Sequence, residues 1–317
     1  MNISKHNIHH KIHLLGIEGM SSKDINQILN RSEYFLNIRK KKNKLDTLKG
    51  KLVINLFFES STRTKASFEI AAKSLSAEVL NISVSNSSIK KGETLIDTAS
   101  TLNAMKPDFL VLRHPNSGAA FMLSKHIESS IINAGDGRHE HPTQALLDAA
   151  VIRQNKGKIQ DLNVTICGDI SNSRVARSNI LLLKTLGAKV KIVAPPTLIP
   201  KEIDKMGVEV FTNLNDGLKK ADIVMILRLQ TERMSGTETP SRREFHHLYG
   251  INEEKLKVSS KDVLIMHPGP MNRGVEIDSS LADNNERSLI SDQVEMGVSI
   301  RMACLEKLYE MRKSYIK

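Results

Sequence analysis

The chain has 317 residues, long for one hydrophobic core and suited to two domains that can enclose a cleft. Its 40% hydrophobic and 26% charged residues are the balance of a globular protein, and no apolar run approaches the roughly 18 residues that a membrane-spanning helix requires. The 46 Lys and Arg against 35 Asp and Glu give a net charge of +11, but with no Trp and four Tyr there is little to stack bases on, so a polyanionic small molecule fits better than nucleic acid.

The first residues show no apolar stretch with a small-residue cleavage site, and a cytoplasmic protein is expected. Cys167 and Cys304 are far apart, lack zinc-ligand spacing and read as buried thiols. Residues 21–39 alternate polar and apolar at helical spacing, with Ser21 and Ser22 as caps and Asp24 in the first turn. The basic run at 39–44 reads as a solvated connector. Residues 51–58 form an apolar strand rich in β-branched and aromatic side chains. A short turn follows, and Phe68, Ala71, Ala72 and Leu75 then recur at helical spacing, with Ser61 or Thr62 as N-cap. A helix start carries partial positive charge and unpaired N–H groups, and this one adds hydroxyls and the Arg63 guanidinium, which makes it a candidate anion site.

Strand 78–84, a polar loop at 85–92, helix 93–105, strand 109–112 ending in Arg113-His114-Pro115, helix 118–126 and strand 131–133 follow. A loop at 135–144 leads into a helix at 145–154. The β-α alternation implies a parallel sheet covered by helices, and ligands of such sheets gather at the carboxyl ends of the strands. That places the turn after Phe58, the Arg113 segment and the 135–144 loop on one rim.

A second α/β layer begins with strand 162–168, and a helix opened by Ser171-Asn172-Ser173-Arg174 runs to Leu186. Strand 188–193, a strand spanning 205–211, helix 216–221 and strand 222–227 ending in Arg228-Leu229-Gln230 come next. Residues 231–243 read as a long polar loop. Strand 263–266 ends in His267-Pro268-Gly269-Pro270, and residues 293–311 read as a closing helix.

Five ordered segments carry a resemblance. The run Phe57-Phe58-Glu59-Ser60-Ser61-Thr62-Arg63-Thr64-Lys65-Ala66-Ser67-Phe68-Glu69 resembles the carbamoyl-phosphate signature of the aspartate/ornithine transcarbamoylase family. Lys90-Lys91-Gly92-Glu93-Thr94, Leu112-Arg113-His114-Pro115, Gly135-Asp136-Gly137 with His141-Pro142-Thr143-Gln144, and His267-Pro268-Gly269-Pro270 match it in order. Arg228-Leu229-Gln230 with Glu232-Arg233 resembles the loop of the members that use aspartate. The segments typical of the ornithine members are missing, and the cationic Arg174 and Arg228 suit a dicarboxylate amine.

The resemblance implies an α/β chain of two doubly wound parallel-sheet domains with the active site in the cleft between them. Residues 1–150, joined by a C-terminal helix at 292–317, would bind carbamoyl phosphate, and residues 151–291 would bind aspartate. Ser61, Thr62, Arg63 and Thr64 would hold the phosphate, with Ser87 beside them. Arg113 would bridge phosphate and carbonyl oxygen, and Thr64, Arg113 and His141 would stabilise charge growing on that oxygen. Gln144 would hold the carbamoyl NH2, helped by the carbonyls of Pro268 and Gly269 and by Pro270. Arg174, Arg228 and Gln230 would bind the aspartate carboxylates. The loop carrying Ser87 and Lys91 would reach the neighbouring subunit's site, where Lys91 would act in catalysis and in binding aspartate, which makes a homotrimer the expected active unit; association with regulatory chains or dihydroorotase stays open. No metal or organic cofactor is implied. Gly269 and the pair Arg138-His139 depart from the family pattern without a role. The competing readings are a transcarbamoylase for another amine such as ornithine, and a non-catalytic basic binding protein on the same fold.

Overall fold

The computed structural model describes residues 12–83, 94–234 and 241–316, with side chains to residue 314. Ser87 and Lys91 lie outside that range, as does the 85–92 loop. Two compact units divide the chain: residues 1–147 with 295–317, and residues 148–294.

The first unit opens with helix Ser22–Lys40, where the Ser21 hydroxyl accepts from the Asp24 N–H and Arg39 and Lys40 sit at the negative end. Strands β1 (Leu52–Phe57), β2 (Glu78–Ser83), β3 (Phe109–His114) and β4 (Ser130–Asp136) form a parallel sheet in the order β2-β1-β3-β4. Helices Thr62–Ser74, Leu95–Ala104 and Ala119–Ser124 connect them. β1 and β3 are buried along nearly their whole length, as expected for central strands covered on both faces. Ile54, Leu56, Leu110, Leu112 and Ile131 pack with Ala99, Leu123 and Ile127 into one apolar cluster. The closing helix, Ile290–Ile316, is longer than its sequence pattern indicates. In this unit it is held by Arg301, which donates to the Ser67 hydroxyl at 2.8 Å, and by Glu306, which accepts two hydrogen bonds from Arg31.

The second unit is built on β5 (Asn163–Cys167), β6 (Lys189–Val193), β7 (Glu209–Phe211), β8 (Ile223–Ile226) and β9 (Leu264–Met266), all parallel in the order β7-β6-β5-β8-β9. Its core joins Cys167, Val193, Leu218, Val224, Ile226, Ile265 and Ile277. The strand expected over 205–211 is only Glu209–Phe211, because Glu202 (φ 60°) and Gly207 (φ 76°) bracket a 3-10 turn at Ile203–Met206 that breaks the extended run. The expected 231–243 loop contains a 3-10 turn at Thr231–Arg233 and ends in helix Arg242–Tyr249. That helix is mostly polar, yet it buries Phe245 completely and is capped by Ser241. Both cysteines are free and buried. Among the described residues no helix is long and apolar enough to cross a membrane.

Candidate active site

In the sheet order β2-β1-β3-β4 the connections leave in opposite directions from the neighbours β1 and β3. Such a reversal opens a crevice beyond the carboxyl ends of those two strands. Phe57 at the end of β1 pairs with Arg113 near the end of β3, so the turn after β1 and the Arg113 side chain belong to the same rim.

Helix Thr62–Ser74 starts at that rim. Ser61 occupies the N-cap with φ −159° and ψ 83°, but its side chain makes no cap hydrogen bond, and the first turn holds no acidic residue. Ser21, Thr94, Ser173, Asn213 and Ser241, by contrast, each accept from a first-turn N–H of their helices. Ser61 takes the N-cap position expected of Ser61 or Thr62, and because its side chain makes no cap hydrogen bond, the helix start presents its positive end and first N–H groups to another acceptor, which favours an anion. Thr64 is buried beside them, and desolvation lowers the pKa of Arg63 below its ordinary value, a cost that a bound anion would offset.

Arg113 is held from two sides. Its Nε lies 3.2 Å from the Glu59 carboxylate, and its guanidinium donates to the Ala134 carbonyl at 3.2 Å. The neighbouring His114 stacks edge-on against Phe58 at 4.7 Å between ring centres. Its Nδ1 accepts from the Asn116 N–H, and burial lowers its pKa, so the ring is neutral with its proton on Nε2.

Beyond β4 the chain turns around Asp136. This carboxylate accepts from the Gly118 N–H (2.6 Å), the Asn133 side chain (2.8 Å) and the Glu140 N–H (3.1 Å), and pairs with His139 Nδ1 (3.1 Å). Burial pushes its pKa up, but the hydrogen bonds from His139, Asn133 and Gly118 outweigh this and leave it below the ordinary value. The loop so fixed delivers His141 and Gln144, both buried. Gln144 was expected in a loop; the helix begins at Pro142, whose fixed φ suits a first helical position, so Gln144 stands in the first turn of helix Pro142–Lys156.

The second unit repeats the logic. In the order β7-β6-β5-β8-β9 the reversal lies between β5 and β8. After β5, the buried Asp169 accepts from the Asn172 N–H at 3.1 Å and from the Gln230 N–H at 3.2 Å, which ties together the segments leaving the two strands. Arg174, buried, is the first residue of helix Arg174–Thr185. After β8, Arg228 forms a bidentate pair with Glu232, one contact at 3.0 Å and the other, between Nη2 and Oε1, shorter. Gln230 and Arg233 both donate to the Asn172 carbonyl, at 3.0 and 3.1 Å. Beyond β9, His267 Nδ1 accepts from the Gly269 N–H at 2.9 Å, which puts its proton on Nε2 facing Glu276 at 3.3 Å and shapes the Pro268-Gly269-Pro270 turn.

Thus Ser61, Thr62, Arg63, Thr64 and Arg113 share the crevice end of the first sheet, His141 and Gln144 follow its fourth strand, and Arg174, Arg228 and Gln230 share the crevice end of the second sheet. Glu59, Asp136, Asp169 and Glu232 are acidic partners that the motifs contain but whose contacts no spacing reveals.

Residues 12–154 match the family described as aspartate/ornithine carbamoyltransferase, carbamoyl-P binding domain, and residues 160–308 match its Asp/Orn binding domain. The chain belongs to the aspartate/ornithine carbamoyltransferase family. It is 59% identical to the aspartate carbamoyltransferase catalytic subunit of Parvibaculum lavamentivorans, over 93% of this chain and 91% of that protein. Among solved structures, aspartate transcarbamoylase from Trypanosoma cruzi in complex with carbamoyl phosphate and aspartate superposes with a TM-score of 0.84 at 31% identity, covering 93% of this chain and 96% of that one. Ornithine carbamoyltransferase from Pyrococcus furiosus superposes almost as well, with a TM-score of 0.83 at 27% identity, covering 92% and 95%. Within this family the fold therefore does not choose the amine.

Proposed function

We propose that this chain is the catalytic subunit of an aspartate carbamoyltransferase, which transfers the carbamoyl group of carbamoyl phosphate to the amine of L-aspartate, giving N-carbamoyl-L-aspartate and phosphate for pyrimidine biosynthesis. Two observations support this reading: in the first unit, a helix start at Ser61 whose side chain makes no cap hydrogen bond, with Arg113 at the reversal point of that sheet, and in the second unit, Arg174 and Arg228 at the reversal point of its own sheet.

The phosphate dianion takes the N–H groups and hydroxyls of Ser61, Thr62 and Thr64 and the guanidinium of Arg63. Arg113, with Thr64 and His141, faces the carbonyl oxygen and stabilises the negative charge that grows there as the amine attacks. Gln144 and the Pro268, Gly269 and Pro270 turn hold the carbamoyl NH2. Arg174, Arg228 and Gln230 take the two carboxylates of aspartate and aim its amine at the carbonyl carbon. The tetrahedral intermediate collapses by breaking the bond from carbon to the phosphate oxygen, and the leaving phosphate accepts the amine proton. Rate enhancement comes from positioning and fixed charge, without a side-chain nucleophile.

The reading extends to a cytoplasmic homotrimer whose sites are completed by Ser87 and Lys91 of a neighbouring chain, with residues 1–150 and 292–317 as the carbamoyl-phosphate domain and 151–291 as the aspartate domain. The test of the reaction is phosphate release from carbamoyl phosphate with aspartate, ornithine and putrescine in turn. Aspartate alone should support turnover; preference for either cationic amine would overturn the reading.

A further inference from the structure

One buried carboxylate oxygen closes both ends of the Pro268-Gly269-Pro270 turn. Glu276 Oε1 faces Nε2 of His267, the residue before the turn, at 3.3 Å, and accepts the N–H of Asn272, two residues after it. Inside the turn the Gly269 N–H donates to His267 Nδ1 at 2.9 Å. We propose that Glu276, acting through His267, is a positioning residue that fixes this turn and so sets the preference for a carbamoyl NH2 over a methyl group of the same size, a role that rests on the carbamoyl transfer proposed above.

The turn needs such a hold. Gly269 sits at φ 61°, in the left-handed region, and glycine moves among backbone conformations more freely than any other residue. Its carbonyl and that of Pro268 keep one direction only when neighbouring groups fix them. Glu276 has no other evident use. It is 1% exposed, and among the described residues no lysine or arginine pairs with it. Its Oε2 makes no hydrogen bond to a described residue, so the side chain's hydrogen bonds all go to residues 267 and 272. A buried carboxylate without a cationic partner is costly, and an apolar side chain of similar volume would serve packing better.

The anchor itself is rigid. The Glu276 carbonyl accepts from the Ile251 N–H at 3.0 Å, and the next residue, Ile277, is fully buried in the core of the second unit. His267 is tied from behind: its N–H donates to Gln293 Oε1 at 2.9 Å, and Gln293 Nε2 donates to Asp148 Oδ1 at 2.8 Å. All of these residues belong to the second unit. The NH2 of carbamoyl phosphate offers two donors, and a carbonyl turned aside loses its bond to them, because hydrogen bonds weaken steeply as they bend. Acetyl phosphate carries the same phosphate and carbonyl oxygen with a methyl in place of the NH2, so it reports on the turn separately from the anion site.

The test measures carbamoyl-aspartate formation with acetyl phosphate as a competitive inhibitor. Its readout is the ratio of the acetyl phosphate inhibition constant to the carbamoyl phosphate KM, which does not depend on how much of the enzyme is folded. The ratio should fall about 10-fold in Glu276→Ala and in His267→Gln, which keeps a donor for Glu276 while removing the acceptor for Gly269. Glu276→Gln retains an oxygen acceptor for both partners and should recover most of the ratio. A purely structural Glu276 would lower the melting temperature and leave the ratio at the parental value in both variants, which would overturn the proposal. A ratio as low in Glu276→Gln as in Glu276→Ala would overturn it too. A parent that forms no carbamoyl-aspartate would instead remove the proposed reaction, and this role with it.

Discussion

Glu232 closes on Arg228 with both carboxylate oxygens, so the guanidinium proposed to bind aspartate is already oriented by an acid four residues further along. The pair is partly exposed, Arg228 at 25% and Glu232 at 53%, and exposed pairs contribute about 1 kcal/mol or less to stability. Its effect should therefore fall on binding. Arg228→Ala should raise the KM for aspartate by roughly 10- to 100-fold, the loss of a charge-assisted contact of about 1.5–3 kcal/mol, and leave the KM for carbamoyl phosphate nearly unchanged. Glu232→Gln, which loosens the orientation but keeps Arg228, should raise the aspartate KM a few-fold with the melting temperature unmoved. Steady-state kinetics with each substrate varied, beside a thermal melt, separates these outcomes.

Arg113 is fixed by Glu59 and the Ala134 carbonyl before any substrate arrives, and such preorganisation gives a donor its value in the transition state. Removing one donor of this kind costs about 10²–10³ in kcat. Arg113→Ala should show that loss while the aspartate KM stays within a few-fold of the parent. A kcat that is unaffected would remove Arg113 from the oxyanion site.

These candidate side chains were legible in the sequence because the motifs that resemble the family fall at the carboxyl ends of strands in a parallel α/β sheet: Arg113 stands near the end of β3, and Ser61–Thr64, Arg174 and Arg228 follow strands. Their partners were not legible. Glu59 and Glu232 look like any surface acid until the turn geometry brings them to a guanidinium, and Asp136 looks like one member of a glycine-flanked loop until four donors converge on it. Two elements were misread for related reasons. Glu202 and Gly207, at positive φ, end an apparently extended run, and helix Arg242–Tyr249 hides its one buried anchor, Phe245, among charged neighbours. Amphipathic spacing is a weak signal when a single residue carries the packing.

Asp136 offers a pH test. Its folded pKa lies below the ordinary 3.8, so the ionised form contributes stability that is complete above that value and is lost as pH falls through the folded value. Asp136→Asn leaves a buried amide facing donors and should cost about 1–3 kcal/mol at neutral pH. Because the variant lacks the titrating group, the gap between the two proteins should narrow below about pH 4. Urea denaturation at several pH values measures this; a gap that widens on acidification would contradict the assignment.

Subunit sharing is testable by complementation. Arg63 and Lys91 would serve one site from two chains, so an Arg63→Ala chain and a Lys91→Ala chain should each be nearly inactive alone. In mixed trimers some sites receive an intact Arg63 from one chain and an intact Lys91 from its neighbour. Random assortment at equal concentrations makes roughly a quarter of the sites intact in a closed cyclic trimer. Activity should rise toward that fraction after denaturation and joint refolding, and not after mixing without exchange. If subunit exchange is confirmed by mass and activity stays at the level of the single variants, Lys91 acts within its own chain or not at all.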